Sequence, residues 1–171
     1  PAAAGAEPVT LPAGPRTLLI CGDASPAVGA VVARLARAAG LPLVAEPSSN
    51  ARCAALRTGR LLLAGALADQ VERVVVFGHP TLSRPVNRLL ARADVELIVV
   101  SANADWVDPG WRASVVAGAV SVAPGPPLSI SPNGWDFTST PGMSSSLTMS
   151  VALLTPFRGT ISCICSVSRS A

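Results

Sequence analysis

The sequence predicts an α/β fold in which helices cover both faces of a doubly wound parallel sheet. Short apolar runs rich in Val, Ile and Leu recur along residues 16–122 and alternate with segments whose apolar residues fall at helical spacing. The apolar runs do not alternate with polar residues, which is typical of strands buried on both faces. Strand, helix and strand in this order imply right-handed crossovers between parallel strands.

The first strand is predicted at residues 17–21, and a helix follows it. Ser25 supplies a side-chain N-cap, and Pro26 is a residue favoured in a first helical turn. Gly40 is expected to end this helix. Its inward face is formed by apolar residues at helical spacing, which are Val28, Val31, Val32, Leu35 and Ala39.

Two more strands are predicted at residues 41–45 and 73–77. A helix is expected between them, although Gly59 and Gly65 weaken it. That helix is inferred from an apolar stripe formed by Leu56, Leu63, Leu67 and Val71.

A fourth strand is predicted at residues 95–100 and a fifth at residues 114–122. The helix that precedes the fourth strand is expected to turn four apolar residues inward, Val86, Leu89, Leu90 and Ala93. The arginines on the outward faces of the predicted helices are expected to be solvated, and they are Arg34, Arg37, Arg88 and Arg92.

Composition divides the chain into three parts. Residues 1–15 are predicted to be a linker, residues 16–122 the α/β domain, and residues 123–171 an irregular tail rich in Ser, Thr and Pro. The chain opens on Pro1 and a run of small residues, which indicates a piece cut from a longer polypeptide. The tail is either a segment that folds against a missing remainder or the product of a frame-shifted gene. Its abrupt change in composition favours the second explanation.

Bulk composition excludes several classes of protein. Half of the 171 residues are hydrophobic and 13% are charged, which argues against a wholly disordered chain. No apolar run approaches the roughly 20 residues that cross a bilayer. The 13 cations, all arginines, are too dispersed for a nucleic-acid surface. The 4 cysteines show no metal-ligand spacing, so reduced thiols in a cytoplasmic protein are expected.

Polar side chains follow the predicted strands at the edge of the sheet where the carboxyl ends of parallel strands meet. Four of these residues are candidates for binding an anionic ligand, an aromatic acid for example, in a regulatory or vestigial site: Arg52, His79, Ser83 and Arg84. Arginine binds carboxylates and phosphates through paired hydrogen bonds, and helix N-termini add N–H groups. The alternative is that Arg52 and Arg84 pair with Glu46 or Asp23 and fix the loops.

A dinucleotide site is a further alternative at the same edge. Glu46 lies at a suitable distance after the first strand to hold a ribose hydroxyl. The turn Gly22-Asp23-Ala24, however, lacks the GxGxxG spacing that lets the backbone approach a pyrophosphate. A free-standing α/β module that binds a nucleotide or another anion therefore stays open as a function.

Three segments, Val44–Ser49, Arg57–Leu63 and Phe77–Val86, occur in an order that points to one family. Together they resemble the central domain of the 2-succinyl-5-enolpyruvyl-6-hydroxy-3-cyclohexene-1-carboxylate synthases, which are transferases of menaquinone biosynthesis. The resemblance covers residues 16–122. It implies a complete enzyme that decarboxylates 2-oxoglutarate on thiamine diphosphate and adds the succinyl unit to isochorismate. It also implies two flanking domains, which bind thiamine diphosphate and Mg²⁺ at a dimer interface.

The residues that would bind the cofactor in such an enzyme have no match here. Gly22-Asp23-Ala24 looks like the start of the family's Gly-Asp-Gly…Asn diphosphate signature, but it continues differently and no Asn follows at the required distance. The glutamate that activates the aminopyrimidine is unmatched as well, since Glu46 stands in a central-domain context. The resemblance therefore implies no catalytic, cofactor-binding or metal residue on this chain.

The function favoured by the resemblance is that of a structural and regulatory central domain, inactive by itself. Its partners would be the flanking domains and a second subunit, with an anionic small molecule as ligand. The other two functions are the free-standing binding module named above and a nonfunctional product of a disrupted gene.

Overall fold

The computed structural model describes residues 9–101, 108, 110–122, 128–131, 134–137 and 150–152. Its main sheet has five parallel strands in the spatial order β3-β2-β4-β5-β6. Their bounds are β2 Thr17–Cys21, β3 Leu43–Ala45, β4 Arg73–Phe77, β5 Glu96–Val100 and β6 Val115–Ala117. The predicted α/β fold with a doubly wound parallel sheet is confirmed.

Helix α1, Pro26–Ala39, follows the sequence signals at both ends. The Ser25 hydroxyl accepts a hydrogen bond from the Val28 N–H at 3.4 Å, and Pro26 occupies the first turn. Gly40 adopts the left-handed conformation at φ 63°, which ends the helix. The buried face includes Val31, Val32 and Leu35, as the periodicity predicted.

The helix predicted from the stripe at residues 56–71 is much shorter in the structure. Helix α2 covers Gly59–Leu63 alone, and 3₁₀ turns at Arg52–Ala54 and Ala68–Gln70 flank it. Gly65, just after α2, lowers the helical preference of the segment at the point where the chain leaves the helix. The segment therefore packs as a series of turns, with Leu63 and Val71 still buried.

Helix α3, Arg84–Leu90, also ends earlier than its apolar pattern indicated. Val86 and Leu89 are buried as predicted, but Ala93 is exposed. Arg92, predicted to be solvated, forms ion pairs with Asp69 and Asp94. The chain turns after α3, and that turn carries Arg92 back toward these acidic groups.

Successive residues of each central strand point to opposite faces of the sheet, and each face carries one hydrophobic cluster. On the α1 side the cluster includes Leu19, Val32, Leu35, Val75 and Phe77. On the α2 and α3 side it includes Ile20, Leu63, Val76, Val86 and Leu89. The absence of polar alternation in the strands follows from this double burial.

The predicted fifth strand at residues 114–122 is two strands in the structure. β6 belongs to the main sheet, whereas β7, Ala119–Val122, leaves it and pairs with other segments. A bend at Gly118 separates the two strands. The prediction of a single strand over residues 114–122 was therefore wrong.

A strand also lies within the predicted linker. β1, Val9–Leu11, pairs in parallel with β7, and Leu11 is 2% exposed in the α1-side cluster. The Thr10 and Ser121 hydroxyls form a hydrogen bond of 2.9 Å across this pair. Residues 9–11 thus belong to the α/β unit, a correction to the linker assigned to residues 1–15.

Part of the tail is described as backbone strands. β8, Leu128–Ser131, and β9, Gly134–Phe137, form an antiparallel pair, and β10, Ser150–Ala152, pairs antiparallel with β7. These are regular elements in a segment predicted to be irregular. Among the described residues no helix has the length and apolarity needed to cross a bilayer.

Candidate functional site

Three loops meet at the carboxyl edge of the main sheet, after β2, β3 and β4. The loops after β2 and β4 are joined by a backbone bridge, in which the N–H of each of Asp23 and His79 donates to the carbonyl of the other at 2.9 Å. The Asn50 amide donates to the Ala24 carbonyl at 2.7 Å and attaches the loop after β3. Hydrogen bonds therefore join the loop after β2 to both of the other loops at this edge.

The close approach of these loops requires glycine at position 22. A Cβ at Gly22 would overlap backbone atoms of His79 and Pro80, and no side-chain rotation relieves a clash with backbone. This glycine therefore serves loop packing. The space beside it, which a Rossmann site would leave for a pyrophosphate, is filled by the chain.

Glu46 is the buried acidic residue of this edge, at 4% exposure. Its two carboxylate oxygens accept the backbone N–H groups of Thr81 at 3.1 Å and Leu82 at 2.8 Å. Hydrogen bonds of this kind compensate the charge for its loss of water. Each oxygen accepts one backbone N–H, so the carboxylate attaches the loop after β3 to the turn before α3.

A cleft of about 320 Å³ opens between the loop after β3, helix α2 and the start of α3. Its apolar lining includes Ile20, Val44, Leu56 and Val86, and Leu82 contributes a side chain that is 64% exposed. Its polar lining consists of Glu46, Arg52, Arg57, Arg60 and Ser83. The cleft thus combines an apolar wall with cationic groups, as small-molecule sites commonly do.

The charges of this cleft do not balance internally. Three guanidinium groups, those of Arg52, Arg57 and Arg60, line it together with the single carboxylate of Glu46. In the described part of the chain none of the three arginines forms an ion pair, and Glu46 bonds to backbone N–H groups. The cleft therefore favours an anion.

Ser83 adds a buried hydroxyl to the lining. The residue is 7% exposed, and its Oγ makes no hydrogen bond to any described residue. Although Ser83 precedes α3 as the N-cap, its side chain accepts no capping hydrogen bond. A buried hydroxyl without a partner costs free energy, and a ligand in the cleft could satisfy it.

Two of the four predicted site residues, Arg52 and Ser83, line the cleft. His79 and Arg84 are exposed and lie outside its lining. The alternative in which Arg52 or Arg84 pairs with Glu46 or Asp23 is not seen in the described structure. Glu46 accepts the N–H groups of Thr81 and Leu82, which lie just before helix α3.

Arg57 and Arg60 are the cleft residues that the sequence did not single out. They lie at a spacing of three, which would place both on one side of the helix predicted over residues 56–71, whereas in the structure Arg57 lies in the turn before α2 and Arg60 in α2 itself. That spacing was the available signal, but the helix containing it was assigned from its apolar residues alone. Nothing in the local sequence indicated that α2 would lie beside the carboxyl edge.

The two described cysteines are free thiols in different surroundings. Cys21, at the end of β2, is buried, whereas Cys53 is exposed. Burial first, and then the nearby Glu46 charge, raise the pKa of the Cys21 thiol to about 12. Cys21 is therefore inert as a nucleophile near neutral pH. Cys163 and Cys165 fall outside the described residues.

The turn after β2 does not fit the diphosphate of thiamine diphosphate. No group of three or more His, Cys, Asp and Glu side chains among the described residues could hold a metal ion. Asp23, in the turn that looks superficially like a diphosphate signature, has its backbone N–H and carbonyl bonded to His79. The turn therefore presents no open cradle for a diphosphate.

The sequence of this chain is similar to those of several known proteins. No family model matches the chain. The 2-succinyl-5-enolpyruvyl-6-hydroxy-3-cyclohexene-1-carboxylate synthase of Kineococcus radiotolerans is 58% identical over 127 residues, which cover 70% of this chain and 23% of that protein. The synthase of the same name from a Nocardioides species is 57% identical over 95 residues, covering 54% and 17%. That from an Arthrobacter species is 47% identical over 121 residues, covering 63% and 20%. The chain spans about a fifth of the length of these relatives.

Proposed function

We propose that this chain, which is homologous over 127 residues to a segment of the 2-succinyl-5-enolpyruvyl-6-hydroxy-3-cyclohexene-1-carboxylate synthases, serves as the central α/β domain of such a synthase. In the complete enzyme, flanking domains and a second subunit would carry thiamine diphosphate, Mg²⁺ and the transfer of the succinyl unit to isochorismate. A cytoplasmic location belongs to the same proposal. This chain would contribute a rigid spacer and a regulatory ligand site.

One observation supports the proposal beyond overall identity. The three segments that carry the family resemblance, Val44–Ser49, Arg57–Leu63 and Phe77–Val86, are separated in sequence but all line the same cleft. The first supplies Glu46, the second Arg57 and Arg60, and the third residues 82, 83 and 86. A shared cleft gives these segments a common role in the family.

A chimera tests the domain assignment. Residues 9–122 of this chain would replace the corresponding segment of the Kineococcus radiotolerans synthase, and consumption of isochorismate would be measured with 2-oxoglutarate, thiamine diphosphate and Mg²⁺. We expect turnover comparable with the parent enzyme, because the segment would restore the contacts of the central domain. The same chimera with Gly22→Val is the control, and it should lose activity together with its fold. A wild-type chimera that folds as a dimer but does not turn over would contradict the assignment.

The cleft supports a second part of the proposal, a site for an anion with an apolar body such as an aromatic acid. Arg52 and Ser83 keep their predicted roles, and Arg57 and Arg60 join them. Roles for His79 and Arg84 remain predictions, because both residues lie outside the cleft. The apolar lining would hold the ligand's body while the guanidinium groups hold its charge.

Calorimetry on the 171-residue chain tests this site, with isochorismate and benzoate as probes. Arg52→Ala and Arg57→Ala should each weaken binding by about tenfold or more, since each removes a charge-assisted hydrogen bond. Arg88→Ala, on an exposed face of α3, is the matched control and should leave binding unchanged. Equal affinities for wild type, Arg52→Ala and Arg57→Ala would refute the site without touching the domain assignment.

A further inference from the structure

The position of Glu46 in the sheet topology gives this residue a role that the cleft alone does not explain. In the order β3-β2-β4, strand β2 lies between β3 and β4. The chain therefore adds β3 on one side of β2 and the later strands on the other side. Open α/β sheets usually bind ligands outside the carboxyl ends of the strands at such a switch point. Here that place lies above Cys21 and Gly22.

Glu46 lies beside this place. It follows β3, and its backbone N–H donates to the Cys21 carbonyl at 2.9 Å, so it begins beside the end of β2. Its carboxylate reaches the N–H groups of Thr81 and Leu82, which follow β4. Glu46 therefore links the loop after β3 to the loop after β4, on the sheet face that α2 and α3 cover, where it lines the cleft.

The carboxylate makes the contacts that a bound anion would make. Two successive backbone N–H groups converge on it, at 2.8 Å and 3.1 Å, and the residue is almost fully removed from water. Successive N–H groups in a turn form a concavity that binds anions in many proteins. The Asp23–His79 backbone bridge joins the loops after β2 and β4 at the same edge.

We propose that the Glu46 carboxylate is a built-in anion, which occupies the N–H turn before α3 and keeps these N–H groups closed to anionic ligands from solution. Removing the carboxylate would leave two desolvated N–H groups without acceptors. A small carboxylate from solvent would then be able to take its place. This inference does not depend on the synthase assignment, since it follows from the topology and the contacts of Glu46.

Chemical rescue of Glu46→Ala in the 171-residue chain tests the proposal. Thermal unfolding would be followed by circular dichroism in sodium acetate and in sodium chloride of equal ionic strength. We expect Glu46→Ala to unfold at a lower temperature than wild type. Acetate should raise its Tm by about 3 °C or more above the value in chloride, because a ligand that binds the folded state stabilises it. The Thr81 and Leu82 amide resonances should shift on acetate addition in the variant and stay fixed in wild type.

Glu72→Ala is the matched control, because Glu72 also accepts a backbone N–H, that of Arg16 at 2.8 Å, but lies exposed at the opposite edge of the sheet. Its Tm should be the same in acetate and chloride. A folded Glu46→Ala whose Tm does not distinguish the two salts would overturn the proposal. If that variant does not fold, amide exchange of Glu46→Gln decides the question. One carboxamide oxygen replaces two carboxylate oxygens, so we expect at least one of the Thr81 and Leu82 amides to exchange faster than in wild type, and wild-type protection at both would also overturn the proposal.

Discussion

Arg73 and Glu96 lie directly opposite each other where β4 and β5 begin, with the Arg73 Nε donating to a Glu96 carboxylate oxygen at 2.6 Å. Arg73 is 4% exposed, whereas the Glu96 side chain is 41% exposed. The same guanidinium donates to the Pro12 carbonyl at 3.0 Å. The buried Arg73 guanidinium thus links β4 both to β5 and to the segment between β1 and β2.

Arg73→Ala should therefore destabilise the chain by about 2 kcal/mol. The loss is smaller than for a fully buried ion pair, because Glu96 is partly hydrated and can regain water when its partner is removed. Urea unfolding followed by circular dichroism measures the change. Arg88→Ala, an exposed arginine, should stay within about 0.5 kcal/mol of wild type. Equal effects of the two substitutions would show that the Arg73 contacts do not stabilise the fold.

Gly22→Ala should cost at least about 2 kcal/mol or prevent folding, because the added methyl would overlap backbone of His79 and Pro80. Gly65→Ala is the comparison. The nearest atom to a Cβ at Gly65 is the Leu62 carbonyl oxygen at 3.7 Å, which is an ordinary contact. This second change should be neutral or stabilise by up to about 1 kcal/mol, since it restricts the unfolded chain. Thermal unfolding of both variants would check the pair, and tolerance of Ala at position 22 would contradict the described loop packing.

Ser25→Ala should reduce stability by about 1 kcal/mol, because the N–H of Val28 loses its side-chain acceptor at the start of α1. Ser25→Asp should retain most of the lost stability, since a carboxylate also caps a helix and interacts favourably with its N-terminus. Chemical denaturation of the two variants distinguishes capping from general surface effects. Identical losses for Ala and Asp would mean that the cap contributes little.

Cys21 should make the stability of the chain fall in alkaline solution. Its folded pKa is raised to about 12 from an ordinary value of 9.0, so above pH 9 the unfolded chain releases the thiol proton and the folded chain keeps it. Ionisation of the unfolded state then favours unfolding. The ratio of folded to unfolded protein should drop by up to about tenfold per pH unit from this group. Stability is unaffected by Cys21 below pH 9 and continues to fall until the pH approaches the folded value.

Urea midpoints of wild type and Cys21→Ala between pH 8 and about 10.5 measure this effect. The variant is expected to be less stable at pH 8, because it loses buried volume, but its stability should decline less steeply with pH. Cys53 remains in both proteins and its contribution cancels. Parallel declines would show that the Cys21 thiol ionises as easily in the folded chain as in the unfolded one.

The sequence predicted the parts of this fold that depend on local chemistry. Strands β2 to β5 follow from apolar runs, and helix α1 follows from Ser25-Pro26 and Gly40. Each of these signals acts within a few residues. The extent of α2, the turn of Arg92 toward acidic groups and the departure of β7 from the main sheet depend on packing between distant segments. Periodicity in one segment carries no information about such packing.

The site divides in the same way. Arg52 and Ser83 were selected because polar residues after parallel strands gather at one edge, a rule that topology imposes. Arg60 reaches the same cleft from α2 and Arg57 from the turn before it, and the rule does not cover the placement of either. His79 was selected by the rule as well, but its backbone is used to bridge Asp23, and its exposed side chain lies outside the cleft. The rule identifies the edge of the sheet. Only three-dimensional packing shows which of its residues line the cleft and which join the loops through their backbone.

The parallel pairing of β1 with β7 has a practical consequence for engineering. Val9 pairs with Val120, so the first and last strands of the α/β unit lie side by side. Because the pairing is parallel, the unit begins at one end of this strand pair and finishes at the other, with Leu11 opposite Val122. A circular permutant of residues 9–122 would therefore need a linker of about a dozen residues that passes back along the pair, because a tight turn joins only antiparallel strands.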